Sequence, residues 1–109
     1  MAYSGLDVLT GEVIDLDEAQ ALTHAYQQNF PLEKKAFFVG AARLKQILDQ
    51  EGCIGIRIYG GYDEAESKNN LVLVGVNFVT QDMTDGTIVD RLVACPGHCD
   101  ATSPLIYSI

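Results

Sequence analysis

Apolar positions along this chain follow two rhythms, one helical and one extended. Leu16, Ala19, Leu22, Tyr26 and Phe30 recur at steps of three and four, the spacing of one stripe on an α-helix. Asp15 and Glu18 stand at a capping-box distance, with the side chain at 15 in the N-cap role. Asp17 and Glu18 suit the positive end of the helix dipole, and Pro31 stops the helix. His24 falls among Gln20, Gln27 and Gln28 on the opposite side, which predicts a wet face. After a short strand at "KAFFV" (35–39), a second helix buries Leu44, Ile47 and Leu48, and Gly52 follows its last turn as a C-terminal cap.

The extended rhythm is stronger. "CIGIRIYGGY" (53–62) and "NLVLVGVNFVT" (70–80), joined by "DEAESKN", read as a long antiparallel hairpin. Side chains alternate across a strand, so Ile54, Ile56 and Ile58 share one face, as do Val72, Val74, Val76 and Phe78 on the partner. Burying both sets together predicts the pairs Ile58–Val74, Ile56–Val76 and Ile54–Phe78. A slip by one residue sets the isoleucines against Leu71, Leu73 and Asn77. "QDMTDG" (81–86) reads as a turn in which Asp82 and Asp85 do Asx-turn work, because the twelve-residue calcium loop is missing. "TIVDRLVA" (87–94) is a fourth strand. The expectation is an α+β single domain over residues 1–109: an antiparallel sheet of about four strands with two helices packed on one face. Residues 1–13 form a loose arm. Residues 95–109 form a turn-rich tail whose Leu105, Ile106, Tyr107 and Ile109 are too apolar to float free.

Charge narrows the partners. Fifteen acidic and seven basic residues give −8, which repels phosphate backbones and argues against nucleic acid, while steering a basic partner. No apolar run approaches the ~20 residues of a membrane helix, and the first fifteen residues lack the pattern of a secretion leader. Three cysteines are an odd number for a secreted scaffold, so the expected compartment is the cytoplasm.

"VIDLDEA", "EGCIGIRIYGGYDE", "LVLVGV" and "CPGHC" in this order resemble a family of small uncharacterised bacterial proteins of the Bacteroidota type. These carry an EGC-x-GIRIY strand, an LVLVGV strand and a terminal Cys-Pro-x-x-Cys. The resemblance covers about residues 12–100. It implies a compact α+β domain and carries over no activity and no functional residue.

Two places hold candidate chemistry. Cys95-Pro96-Gly97-His98-Cys99 is spaced one residue too wide for a thioredoxin-type pair. Cys95, His98 and Cys99 offer three zinc ligands where a structural site needs four, so zinc at this turn is the alternative to no cofactor. A local disulfide or two free thiols is the plainer reading, because Pro-Gly suits a tight turn. The second place is the hairpin face with Gly55, Arg57, Tyr59, Leu71, Leu73 and Gly75. In the predicted register Arg57 lies over Gly75 and Tyr59 beside Leu73. Arg and Tyr are favoured interface anchors, which makes Arg57, Tyr59, Leu71 and Leu73 the candidate binding residues. The C-terminal tail, a second copy or an outside protein could cover them. The functional expectation is a small binding or interaction domain, dimeric in one arrangement, with no catalysis. A zinc- or thiol-dependent site at the turn, or a small enzyme, is the alternative; no nucleophile–base pair or phosphate loop stands out.

Overall fold

The computed structural model describes residues 5–107. The arm's first four residues and the tail's Ile109 therefore lie outside the described part. Among the described residues two helices and five strands run in the order α1 (Leu16–Asn29), β1 (Ala36–Phe38), α2 (Ala41–Leu48), β2 (Cys53–Asp63), β3 (Lys68–Asn77), β4 (Ile88–Val89) and β5 (Val93–Cys95). The fold is α+β and every strand pair is antiparallel. The strands form two sheets, one of three in the order β2-β3-β4 and one of two, β1-β5. The single apolar run 87–94 supplies both β4 and β5. Arg91 divides it with a φ of 57°, a left-handed conformation that an extended strand cannot pass through. The chain forms two compact units. One holds the residues up to Gly11 with Val39–Leu92, the other Glu12–Phe38 with the chain from Val93 onward.

The first unit is built on the β2–β3 hairpin. Its register pairs Ile56 with Gly75, Arg57 with Val74, Ile58 with Leu73 and Tyr59 with Val72. This is the one-residue slip, and the turn chemistry explains it. Asp63 pairs with Lys68, leaving four connecting residues. The Asp63 carboxylate accepts the N–H groups of Ala65 and Glu66 at 3.0 and 3.2 Å, and Ser67 turns left-handed with φ 54°. Loop length and turn type set a hairpin's register. A bulge between Cys53 and Gly55 absorbs the mismatch at the other end.

The slip sorts the side chains differently. Ile56, Ile58, Leu73 and Gly75 share one face, and Arg57, Tyr59, Val72 and Val74 the other. Both faces of the central strand β3 are covered: Leu73 on one and Val74 on the other are 2% and 3% exposed. Phe78, expected in the core, is exposed because the strand ends at Asn77. Gly75 has a local cause. A Cβ there would stand 2.9 Å from Gln50 Nε2, 3.0 Å from Cys53 Sγ and 3.3 Å from Ile47 Cγ2. The glycine therefore makes room for the end of α2, whose Ile47 is fully buried. The bond of Gln50 Oε1 with Thr87 N–H at 2.8 Å then ties this end to the following turn.

The second unit corrects the reading of α1. Asp15 caps the helix as expected, accepting Glu18 N–H at 2.8 Å. The helix is turned the other way, however. Leu22 and Phe30 of the apolar stripe are 60% and 53% exposed, whereas Gln27 of the supposed wet face is 7% exposed. The cause is the C-terminal tail. Gln27 Nε2 donates to Leu105 O at 3.0 Å, and Gln27 Oε1 accepts Tyr107 N–H at 2.7 Å. His24 Nε2 lies 2.8 Å from Pro104 O, and its ring meets Tyr107 edge-on at 5.4 Å. The tail docks through its backbone, which needs a polar partner rather than an apolar stripe.

Candidate functional site

The candidate binding residues do not form one patch. Leu73 is buried, and Leu71, paired with Gly60, shares its face. Arg57 and Tyr59 stand on the other face, where they meet a residue that the sequence reading assigned to a turn. Asp82 bridges to Val76 on the far side of β3, so it shares the face of Arg57 and Tyr59. Arg57 Nη1 donates to Asp82 Oδ1 at 2.5 Å, and the Tyr59 hydroxyl donates to Asp82 Oδ2. Arg57 and Tyr59 start on β2 and Asp82 on the far side of β3, so the side chains together bridge two strand spacings, about 9–10 Å. The turn bonds expected of Asp82 are made instead by Asn77, whose Oδ1 accepts Val79 and Gln81 N–H at 3.1 and 3.0 Å.

This cluster is electrostatically self-contained. The Tyr59 hydroxyl and then the Arg57 guanidinium hold the Asp82 carboxyl below its ordinary value. The hydrogen bond to Asp82 pushes the Tyr59 phenol above its ordinary 10.0 and keeps Arg57 more firmly protonated. Its three groups satisfy one another, so it serves as a strap across β3 more than as a vacant recognition site. What could have revealed it is the alternation itself: had the segment after Asn77 been read as returning along β3, Asp82 would have fallen in line with Val76.

Beside the strap lies a groove of about 390 Å³, lined by Leu6, Asp7, Val8 and Thr10 of the N-terminal segment, by Ile54–Ile58 of β2, and by Val76. The N-terminal segment holds its shape through Thr10, whose hydroxyl accepts Asp7 N–H and donates to Gly5 O, both at 2.8 Å. Residues 5–10 thus form a turned wall, where a loose arm was expected. Gly55 leaves the groove floor bare, since a Cβ there would meet nothing within 4 Å.

At the other sequence candidate, Cys95 and Cys99 are joined in a disulfide, with Cα atoms 4.9 Å apart. His98 N–H closes the turn on Ala94 O at 3.0 Å. Disulfide sulfurs present no thiolate for zinc, so ligation by Cys95, His98 and Cys99 first requires reduction. Among the described residues no group of three or more His, Cys, Asp or Glu is placed to hold a metal, and no helix is long and apolar enough to cross a membrane. No protein-family model, curated protein or solved structure matches this chain.

Proposed function

We propose that this protein is a small binding domain that takes its ligand in the groove between residues 6–10 and β2, without catalysis. The groove carries the reading. At about 390 Å³ it falls within the 300–1,000 Å³ of small binding clefts, and its apolar lining is interrupted by few polar groups. The ligand favoured is a protein segment, because a chain of charge −8 disfavours nucleic acid. Self-association through the same strand is the dimeric arrangement.

Gly55→Leu tests the groove. The side chain grows into free space, so the fold should survive while the groove fills. In a screen of apolar fragments, the methyl signals of Leu6, Val8 and Ile56 should shift in the wild type and stay still in Gly55→Leu. Identical fragment responses in both proteins would refute the site.

Compartment bears on the turn and not on the groove. In a reducing cytoplasm Cys95 and Cys99 stand as thiols, and in an oxidising compartment as the disulfide. Counting thiols on denatured, unreduced protein from its host, three against one, decides between them.

A further inference from the structure

We infer that the groove receives an extended, basic peptide segment of another protein, added as a strand to β2 and bonded to the backbone of Ile56 and Ile58. This rests on the groove reading above and adds the class of ligand.

The lining shows how the groove is oriented. Ile54, Gly55, Ile56, Arg57 and Ile58 are consecutive, and all five line it. Val76 of β3 lines it too, so the groove opens over the face of Gly55 and Arg57. Because successive side chains point to opposite faces, its contact with Ile56 and Ile58 as well shows that it reaches round to the edge of β2, where their backbone lies. β2 is an edge strand. Which of its groups face outward follows from bonds on the far side of β3. Met83 N–H donates to Gly75 O at 2.8 Å, and Asn77 N–H donates to Gln81 O at 3.0 Å. Gly75 and Asn77 therefore turn their backbone away from β2, and Val74 and Val76 turn theirs toward it. Across the ladder, Gly55 and Arg57 pair with Val76 and Val74, so they face inward. Ile56 and Ile58 point their N–H and C=O groups into the groove. Among the described residues no backbone hydrogen bond from another segment closes them.

Natural edges are guarded by charge, proline or a cover. The only charge between Cys53 and Tyr62 is Arg57, and its guanidinium is drawn over the sheet to Asp82. Residues 6–10 stand across the groove without bonding this edge, and Ile58 beside it is 59% exposed. Strand addition takes its affinity from such backbone groups. Charge decides the occupant. Arg57 is already paired with Asp82, so net charge separates the candidates. A second copy brings another −8 against this chain's own −8, whereas a basic segment with apolar residues beside Ile56 and Ile58 is attracted by it.

The test uses amide hydrogen exchange with a short alternating Lys-Val peptide and its analogue N-methylated at every second amide. With the peptide at about ten times its Kd, the Ile56 and Ile58 amides should exchange about tenfold more slowly, and the methylated peptide should give no protection. Ile58→Pro should abolish binding and leave the melt nearly unchanged, because the N–H it removes is not used by β3. Protection of both amides without peptide overturns the inference, and protection that grows with protein concentration alone identifies a second copy instead. Methyl shifts at Leu6 and Val8 without amide protection overturn strand addition and leave the groove standing. No methyl shift with peptide or with apolar fragments overturns both.

Discussion

Each unit ties two of its segments together through one polar side chain, and the two ties are opposite in kind. In the first unit Asp82, a carboxylate 21% exposed, accepts from Arg57 and Tyr59. In the second Gln27, a neutral amide 7% exposed, donates to Leu105 O and accepts from Tyr107 N–H. Burial sets the choice. A buried charge costs far more than a buried amide, so the carboxylate sits where water reaches it and where a guanidinium matches it. The passing backbone of the tail offers one acceptor and one donor. An amide answers both, whereas an ionised carboxylate only accepts.

The largest break comes from placing a carboxylate where it has no match. Leu73 is 2% exposed, and its cross-strand neighbours are Ile58 and Val89. Leu73→Asp should cost about 4 kcal/mol or more, a large part of a small domain's stability, and should abolish the folded first unit. A cooperative melt near the wild-type temperature would return Leu73 to the open face on which the sequence reading placed it.

Next in size is the amide tie. Gln27→Ala leaves Leu105 O and Tyr107 N–H without their partners and should cost about 2–3 kcal/mol, seen as loss of the edge-on signature between His24 and Tyr107. Gln27→Glu sharpens the comparison. It keeps the bond from Tyr107 N–H but sets a carboxylate oxygen against Leu105 O in a site 7% exposed, so near pH 7 it should cost more than Gln27→Ala. If Glu performs as well as Gln, the donor half of the tie contributes nothing.

The ties also mark where the sequence was legible. Alternation in 53–62 and 70–80 located both long strands, because β-branched runs bounded by polar turns have few other readings. It could not fix their register, which depended on a four-residue loop closed by Asp63 and on a bulge. Arg57 and Leu73, expected on one face, stand on opposite faces for that reason alone. α1 was legible in extent, through Asp15 and Pro31, and not in orientation. Its stripe of Leu22, Tyr26 and Phe30 is the apolar face, but what docks on Gln27 is a backbone, and hydrophobic periodicity carries no signal for a buried amide. The edge groups of Ile56 and Ile58 were beyond reach, because they depend on strand order.

A smaller effect separates the units by covalent chemistry. The second has the Cys95–Cys99 disulfide, and Cys53 of the first is a free thiol. Closing so short a loop is worth about 2 kcal/mol on the chain-entropy model. Cys95→Ser/Cys99→Ser should weaken β1–β5 pairing, read at the amide of Lys35, which donates to Cys95 O at 2.6 Å. The Ile56–Gly75 region should be unmoved. Equal loss in both regions would mean that the units do not respond separately.

The smallest effect is the most diagnostic, because it appears only when pH is varied. Asp82 titrates below its ordinary 3.8 in the folded chain. The stability it contributes is therefore complete above that value and is lost as pH falls through the lower, folded one. Tyr59 titrates above its ordinary 10.0, so its contribution is complete below pH 10.0 and is lost as pH rises through the higher value. Around Asp82 the first unit should show a plateau with an acid limb and an alkaline limb. In the second unit Asp100 is also lowered, by the Thr102 hydroxyl and N–H, but it acts within its own turn. The amide tie at Gln27 has no proton to exchange in this range. Asp82→Asn should flatten both limbs at the first-unit amides, return the Tyr59 phenol toward 10.0 and leave stability near pH 7 little changed, since the pair is partly solvated. The Tyr107 amide should follow the same pH course in both proteins. An unaltered acid limb in Asp82→Asn would show that the strap over β3 does not depend on its charge, and the contrast between the two ties would then be one of burial alone.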